Sequence, residues 1–420
     1  MKGKFKNIGF ISTRIAGTDG VSLEIEKWAK VLERNKYNCY YFAGASDRPP
    51  KKCFLVKEAH FGHPKIMKIR KGCFGKEERS PEISKLIENL KNQLKKKIQQ
   101  FVEKFDIDLI IPENALAIPM NIPLGLAITD FIAETGFPTI AHHHDFYWER
   151  NRFLVNSVND YLDRAFPPDL PSIEHVVINS IASEELSHRK GISNTIIPNV
   201  YDFASPPSRS DSHCPDLRKR IGLKENDLFV LQPTRVVPRK CIETSVELVH
   251  QMKLKNPVLV ISHASGDEGS SYYENIKEYA KNLGVKIVSI EKIIGPKRME
   301  KGEGKIYTIG DVYLCADLVT YPSSYEGFGN AFLEAIYYRK PVVVNRYPIY
   351  IVDIEPKRFD LIAINRFVTK ETIKKIREIL KNEKRREKMV EKNYRVALEY
   401  FSYEVLENSL KDTIEELQKG

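Results

Sequence analysis

Tyr321-Pro322-Ser323-Ser324-Tyr325-Glu326-Gly327-Phe328-Gly329-Asn330-Ala331-Phe332-Leu333-Glu334-Ala335 reads as a strand end, a glycine-bearing loop and the start of a helix that stops before Pro341. A helix N-terminus preceded by glycines presents backbone N–H groups and the positive end of a dipole, a ready site for phosphate. Glu326 in the loop and Glu334 in the first turns suit ribose or sugar hydroxyls, because a carboxylate accepts several hydrogen bonds. Taken alone, the same residues also make an ordinary strand–loop–helix joint capped by Asn330.

Three further stretches have the same form. Gln232-Pro233-Thr234-Arg235-Val236-Val237-Pro238-Arg239-Lys240 follows a strand and opens a helix, placing Arg235 and Lys240 in one loop. Two fixed cations neutralise a diphosphate without a metal, although surface charge beside a helix start reads the same way. Ala141-His142-His143-His144-Asp145-Phe146-Tyr147-Trp148-Glu149-Arg150 closes another strand. Alternation puts His142 and His144 on one side and His143 on the other, so the three make a poor cage for a single ion. Hydrogen-bonding histidine at a ligand edge and plain strand-end histidine both remain open. Arg14-Ile15-Ala16-Gly17-Thr18-Asp19-Gly20 follows the first strand and lacks the full G-x-G-x-x-G spacing.

Outward from these joints, strand and helix patterns alternate. Strands are expected at Asn7–Ser12, Tyr37–Ala43, Ile107–Ile111, Thr139–His142 and His175–Asn179. A second series follows at Leu228–Gln232, Val258–Ser262, Val285–Ser289, Leu318–Tyr321 and Val342–Asn345. Amphipathic helices are expected over 21–34 and 81–104, with residues 47–80 irregular and the end helical from Lys370. Repeated strand-then-helix units imply parallel sheets covered on both faces. The polar stretch 204–216 is the best linker, which divides the chain into an N-terminal domain, 1–203, and a second, 204–392. The fold class is α/β: two doubly wound domains facing a cleft, with ligands expected at strand C-terminal ends.

At this point the chain resembles the retaining glycosyltransferases of family 4. Glu326-Gly327-Phe328-Gly329 with Glu334 is similar to that family's E-x7-E block, and Arg235 through Lys240 to its basic phosphate pair. Asp311–Asp317 and Ile197-Pro198-Asn199-Val200 resemble two more blocks, and Cys241 and Asn330 depart from the family pattern. The resemblance implies a GT-B fold of two Rossmann-like domains, with the donor on the C-terminal one. It implies that Arg235 and Lys240 hold a diphosphate and that Glu334 holds the ribose. Glu326 with Gly327, Phe328, Gly329 and Asn330 would face donor sugar and phosphate. His142 or His144 would touch the donor sugar, and Gly17, Asp19, Gly20 and Tyr147 would meet the acceptor. The helical stretch 393–420 would return to the N-terminal domain. His144–Arg150 further resembles soluble-acceptor members, among them compatible-solute synthases of the mannosylglucosyl-3-phosphoglycerate type. No cofactor or metal is expected, only a nucleotide-diphosphate sugar such as GDP-mannose or UDP-glucose.

Charge bears on the acceptor. Residues 1–100 hold 23 Lys/Arg and 10 Asp/Glu, a net +13, so the other 320 residues carry −3 of the total +10. Such an excess suits a small phosphorylated or acidic acceptor, while a solvated lysine-rich face explains it equally well. A lipid acceptor at an anionic membrane surface and a non-catalytic nucleotide-sugar sensor are the competing readings; no nucleic-acid-binding motif accompanies the charge. No run of about 18 apolar residues exists, so a cytoplasmic protein is expected. Cys39, Cys53, Cys73, Cys214, Cys241 and Cys315 form no C-x-x-C pair, and reduced thiols are expected of all six.

Overall fold

The computed structural model of the chain describes residues 5–17, 19–207, 214–254, 256–263, 270–299 and 304–419. It contains two compact units, Met1–Asn199 with Glu404–Gly420, and Val200–Tyr403. In the first unit β1 (Asn7–Ile11), β2 (Asn38–Ala43), β3 (Cys53–Leu55), β4 (Leu109–Pro112), β5 (Thr139–His143), β6 (Ile173–Val177) and β7 (Thr195–Ile196) form one sheet ordered 3-2-1-4-5-6-7. All its pairings are parallel, with Phe10 of β1 between Tyr41 of β2 and Ile111 of β4. The second unit repeats the plan with β8 (Leu228–Gln232), β9 (Pro257–Ile261), β10 (Lys286–Ser289), β11 (Leu318–Tyr321), β12 (Val342–Asn345) and β13 (Ile362–Ile364), ordered 10-9-8-11-12-13. The expected α/β class, two doubly wound parallel-sheet units, is borne out.

The central strands read as near-continuous apolar runs because helices cover both faces. Ile110 and Ile128 share one core cluster of the first unit; Val230, Val249 and Ile376 share one of the second. Each strand order reverses once, between β1 and β4 and between β8 and β11. Chain leaving neighbouring strands in opposite directions opens a crevice at their C-terminal ends, where doubly wound sheets take ligands. The four joints first singled out in the sequence lie at the C-terminal ends of β1, β5, β8 and β11, whereas Asp311–Asp317 precedes β11.

Several elements differ from expectation, among them the strands β3, β7 and β13, which were not expected. Ile122–Thr135 is a helix with eleven buried residues, apolar on every side, so it carries no amphipathic period. Pro64–Cys73 is a helix inside the stretch expected to be irregular; its buried face is only Ile66, Ile69 and Cys73. The helical end divides at Ser402, which is extended, into Glu383–Phe401 and Tyr403–Lys419. Six of the thirteen residues of the expected linker, 208–213, lie outside the described residues, and a helix begins at Cys214.

The thiol expectation needs correcting. Cys214 and Cys315 form a disulfide, with Cα atoms 5.2 Å apart across a sequence separation of 101. The helices Cys214–Arg220 and Ile309–Cys315 pack together and bring the two sulfurs into register, which no spacing rule along the chain reveals. The other four cysteines are free, and burial pushes the Cys39 thiol up to about 12 and that of Cys73 to about 11.

Candidate active site

In the second unit the loops after β8 and β11 flank the point where strand order reverses, and they are tied to each other. The Ser324 backbone N–H and Oγ both donate to the Arg239 carbonyl, at 2.9 and 3.2 Å. Asn345 Nδ2 donates to the Ser323 carbonyl at 3.0 Å, and Tyr347 Oη to that of Phe328 at 2.7 Å. These bonds hold the turn that delivers Gly329 to the head of the Asn330–Tyr337 helix. The helix cap is Gly329 and not Asn330, and no side chain caps it. Gly329 sits at φ +136°, and a Cβ there would stand 2.5 Å from Tyr347 Oη. Gly329→Ala is expected to cost about 1–3 kcal/mol in backbone strain alone. Urea unfolding followed by far-UV circular dichroism checks it; an unchanged midpoint contradicts this conformation.

Charge gathers beside that helix end. Lys240 Nζ pairs with Glu326 Oε1, and Arg239 Nη1 reaches Glu326 Oε2 at 3.2 Å and the Tyr325 carbonyl at 3.1 Å. Lys240 and Glu326 are both buried. Burial opposes ionisation of Glu326, yet Lys240 and Arg239 hold its carboxyl below the usual carboxylate range. Burial pushes the Lys240 ammonium below its ordinary range, and Glu326 draws it part of the way back. Arg235 is exposed and outside this ion cluster, though its charge acts on both Lys240 and His263. His263, at the end of β9, is pushed down by burial, Lys240 and Arg235. Glu334 accepts from Tyr313 Oη at 3.0 Å on the inner side of the same helix. An anion arriving here meets the exposed Arg235 and a Lys240–Arg239 pair already balanced by one carboxylate.

In the first unit the chain leaving β4 meets the chain leaving β5. Glu113, fully buried, accepts on Oε2 from His142 Nδ1 at 2.9 Å and His144 Nε2 at 3.1 Å. Strand alternation explains the set: His142 and His144 face Glu113, while His143 turns to His175 at 2.9 Å. Trp28 stacks on the His142 ring with centroids 4.1 Å apart. Burial opposes protonation of both rings. For His142 burial wins and the imidazole is held below its usual range; for His144 the Glu113 carboxylate wins and raises it. The side chain of His144 is 10% exposed and that of His142 1%, so His144 is the more accessible of the two. Asn114, at φ +57°, holds the turn by accepting from the His144 N–H at 3.1 Å and donating to Asp145 at 3.0 Å.

The expected acceptor residues scatter in role. Asp19 caps the Gly20–Arg34 helix through Ser22 N–H at 3.2 Å and pairs with Arg14 at 3.0 Å. Gly17, at φ +81°, donates its N–H to Asp47 at 2.8 Å, and Gly20 is the first residue of the helix. Thr18 lies outside the described residues. Tyr147 is half-buried against Trp148 and the core cluster around Ile66 and Phe166. A groove of about 520 Å³ lined by Asp317, Lys340 and Pro341 opens at the opposite, N-terminal ends of β11 and β12.

Residues 215–396 match the model of the family described as glycosyl transferases group 1. The chain is 35% identical over 391 residues to the mannosylglucosylglycerate synthase of Petrotoga mobilis, covering 85% of this chain and 86% of that protein. The chain belongs to the group 1 glycosyl transferases. A second relative, the mannosylglucosylglycerate synthase of Thermotoga maritima, is 31% identical to the transferase over 436 residues, with 96% and 98% of the two chains covered. In fold the transferase is similar to a solved glycosyltransferase of Rickettsia africae, at TM-score 0.72 and 14% identity over 99% of each chain.

Three residues of the transferase's sites carried no sequence signal. Glu113 follows β4 as a single carboxylate in an apolar stretch, His263 is a lone histidine after β9, and Arg239 stands between two residues of the same loop that drew attention. Glu113 also changes the metal question. With His142 and His144 it forms a group whose ligand atoms lie within 4.8 Å of one another, a set able to hold a cation. The hydrogen-bond pattern bears on this from two sides, since the other carboxylate oxygen, Glu113 Oε1, is buried without a partner. His142 Nε2 is buried without a partner. With its proton on Nδ1, donated to Glu113, the bare Nε2 lone pair costs little. Were Nδ1 to bind a metal, Nε2 would carry a buried N–H with no acceptor, at a cost of about 1–3 kcal/mol.

Proposed function

We propose that this glycosyltransferase moves a hexose from a nucleotide-diphosphate sugar to a small soluble acid-bearing acceptor, with retention at the anomeric carbon and without a metal or other cofactor. The supporting observation is the Lys240–Arg239–Glu326 cluster beside the glycine-headed helix at the reversal of β8 and β11. In the reaction the bond from the anomeric carbon to the diphosphate breaks and the departing oxygen gains negative charge. Lys240, Arg235 and the helix N-terminus stabilise that charge. An acceptor hydroxyl bonds to the same face of the anomeric carbon, and its proton passes to the leaving diphosphate. His144 would hydrogen-bond the donor sugar, with its ring fixed by Glu113, and Glu334 the ribose.

The names of the two relatives, mannosylglucosylglycerate synthases, support a finer reading, in which a mannose is added to a glucosylglycerate-type acceptor and GDP-mannose is the donor we propose. That chemistry belongs in the cytoplasm, where nucleotide sugars are made, and no helix among the described residues is long and apolar enough to cross a membrane. A product assay pairing GDP-mannose and UDP-glucose with glucosylglycerate, its phosphorylated form and lipid acceptors in anionic liposomes tests it. Transfer is expected to a soluble acid acceptor and to survive excess EDTA. Transfer only to a liposome-embedded lipid rejects the acceptor reading, and activity lost to EDTA and restored by magnesium or manganese rejects metal independence.

A further inference from the structure

The chain leaving β9 ends at the same ligand edge as the loop that carries Arg235 and Lys240. Gln232, the last residue of β8, is the register partner of Ile261, the last of β9. The Ser262 N–H donates to the Gln232 carbonyl at 3.4 Å. Gln232 Nε2 in turn donates to Thr234 Oγ1 at 2.8 Å, and Thr234 Oγ1 to the Arg235 carbonyl at 3.3 Å. An unbroken run of hydrogen bonds thus ties the residue before His263 to the residue that bears the exposed cation. Ser262 Oγ lies 2.7 Å from His263 Nδ1 and fixes that side of the ring. The other ring nitrogen, Nε2, has no hydrogen-bond partner among the described residues.

The charges acting on this ring are of one sign. His263 is partly buried, and burial, Lys240 and Arg235, in that order, hold its imidazole below the ordinary range. On the other side of β9 the Ile290 N–H donates to the Ile261 carbonyl at 2.9 Å and brings up the chain leaving β10, where Glu291 and Lys292 are exposed. Neither of these, nor Glu326 of the loop after β11, acts on the ring. With no anion present the site therefore keeps His263 neutral. A diphosphate held by Arg235 and Lys240 reverses that field: it adds negative charge beside the ring and gives an Nε2–H an acceptor. Both changes favour the imidazolium.

We propose that His263 is a further donor-binding residue, one that takes up a proton as the diphosphate of the nucleotide sugar arrives and donates Nε2–H to a phosphate oxygen. The inference rests on the donor reading above and adds a proton to it. That proton comes from solvent and returns there when the nucleoside diphosphate leaves, so the site carries the third positive charge only while an anion occupies it. The sign follows from the two states: the ring is lowered in the empty site and raised in the donor complex. Donor affinity is therefore greatest at low pH, falls as pH rises through the donor-bound value, and stops changing below the empty-site value.

Calorimetric titration of the full chain with UDP-glucose and GDP-mannose, in two non-phosphate buffers of different ionisation heat, decides it. The diphosphate of these donors is esterified at both ends and has no proton to exchange near neutral pH. Wild type is expected to take up about 0.5–1 proton at about pH 6.5 and to bind about tenfold tighter at pH 6 than at pH 8, the equivalent of a shift of about one pKa unit in the ring. His263→Gln keeps a hydrogen-bonding side chain that cannot be charged. It is expected to bind within about threefold of wild type at pH 8, where the ring is neutral in both states, and to vary by under about threefold between pH 8 and pH 6. Binding by wild type without proton uptake overturns the inference. So does a His263→Gln protein that keeps the uptake, which then belongs to another group, and so does one weakened alike at both pH values, which makes His263 a structural residue. In each of these cases the donor reading stands. If neither donor binds wild type at any pH, that reading fails and takes the inference with it.

Discussion

Lys240→Ala is expected to lower kcat/KM by about 100- to 1,000-fold, the loss seen when one donor is removed from a site that stabilises a developing oxyanion. Lys240 is the buried cation of its loop and sits beside Tyr321, 5.7 Å from the ring centroid, where water is scarce and charge interactions are strong. Its present partner, Glu326, keeps Arg239 when Lys240 is gone, so the carboxylate is not stranded and the fold should persist. Circular dichroism checks the fold and steady-state kinetics the rate. Lys240→Arg should keep charge and recover part of the rate, since Arg239 shows that the loop tolerates a guanidinium. A loss under about threefold in a folded Lys240→Ala protein contradicts the role. Because the charge that Lys240 would stabilise grows as the diphosphate departs, the loss should fall more on kcat than on KM.

The parallel sheets were legible because fully buried strands write themselves as short apolar runs between turn residues, as in Leu228–Gln232 and Val342–Asn345. The loops at their C-terminal ends were legible for the same reason: glycine, proline and charge stand out against such runs. What escaped was whatever lacked contrast. The Ile122–Thr135 helix is apolar on all sides, and Pro64–Cys73 hides a narrow buried stripe among lysines. Cys214 and Cys315 become neighbours only after two helices pack. The site followed the same rule. Charges concentrated in one loop, such as Lys240 and Arg235, were visible, whereas Glu113 gains its meaning only from His142 and His144, 29 and 31 positions further on.

Glu113 is the strongest case of meaning that arises only in three dimensions, and its removal is expected to have the largest effect on stability. Glu113→Ala leaves His142 Nδ1 and His144 Nε2 without their shared acceptor inside a fully buried cluster. The expected loss is about 3–5 kcal/mol where the cluster is charged, the usual consequence of removing one partner of a buried pair. The pH dependence follows from the two shifts. Glu113 is held below its usual range despite burial, so its contribution is present above about pH 4.5 and is lost as pH falls through its lowered value. His144 is raised, so its contribution is present below about pH 6.5 and is lost as pH rises through its raised value. The gap between wild type and Glu113→Ala should therefore be widest near pH 5–6, and near pH 8 should shrink to about 1–3 kcal/mol, the cost of buried donors left unsatisfied. Urea unfolding followed by tryptophan fluorescence isolates the effect, because Trp28 and Trp148, the two tryptophans of the chain, both belong to the first unit. A gap equal at pH 5.5 and pH 8 overturns the charged Glu113–His144 pair. A wild-type midpoint that rises with added zinc or manganese, and does not rise in Glu113→Ala, makes the cluster a metal centre instead.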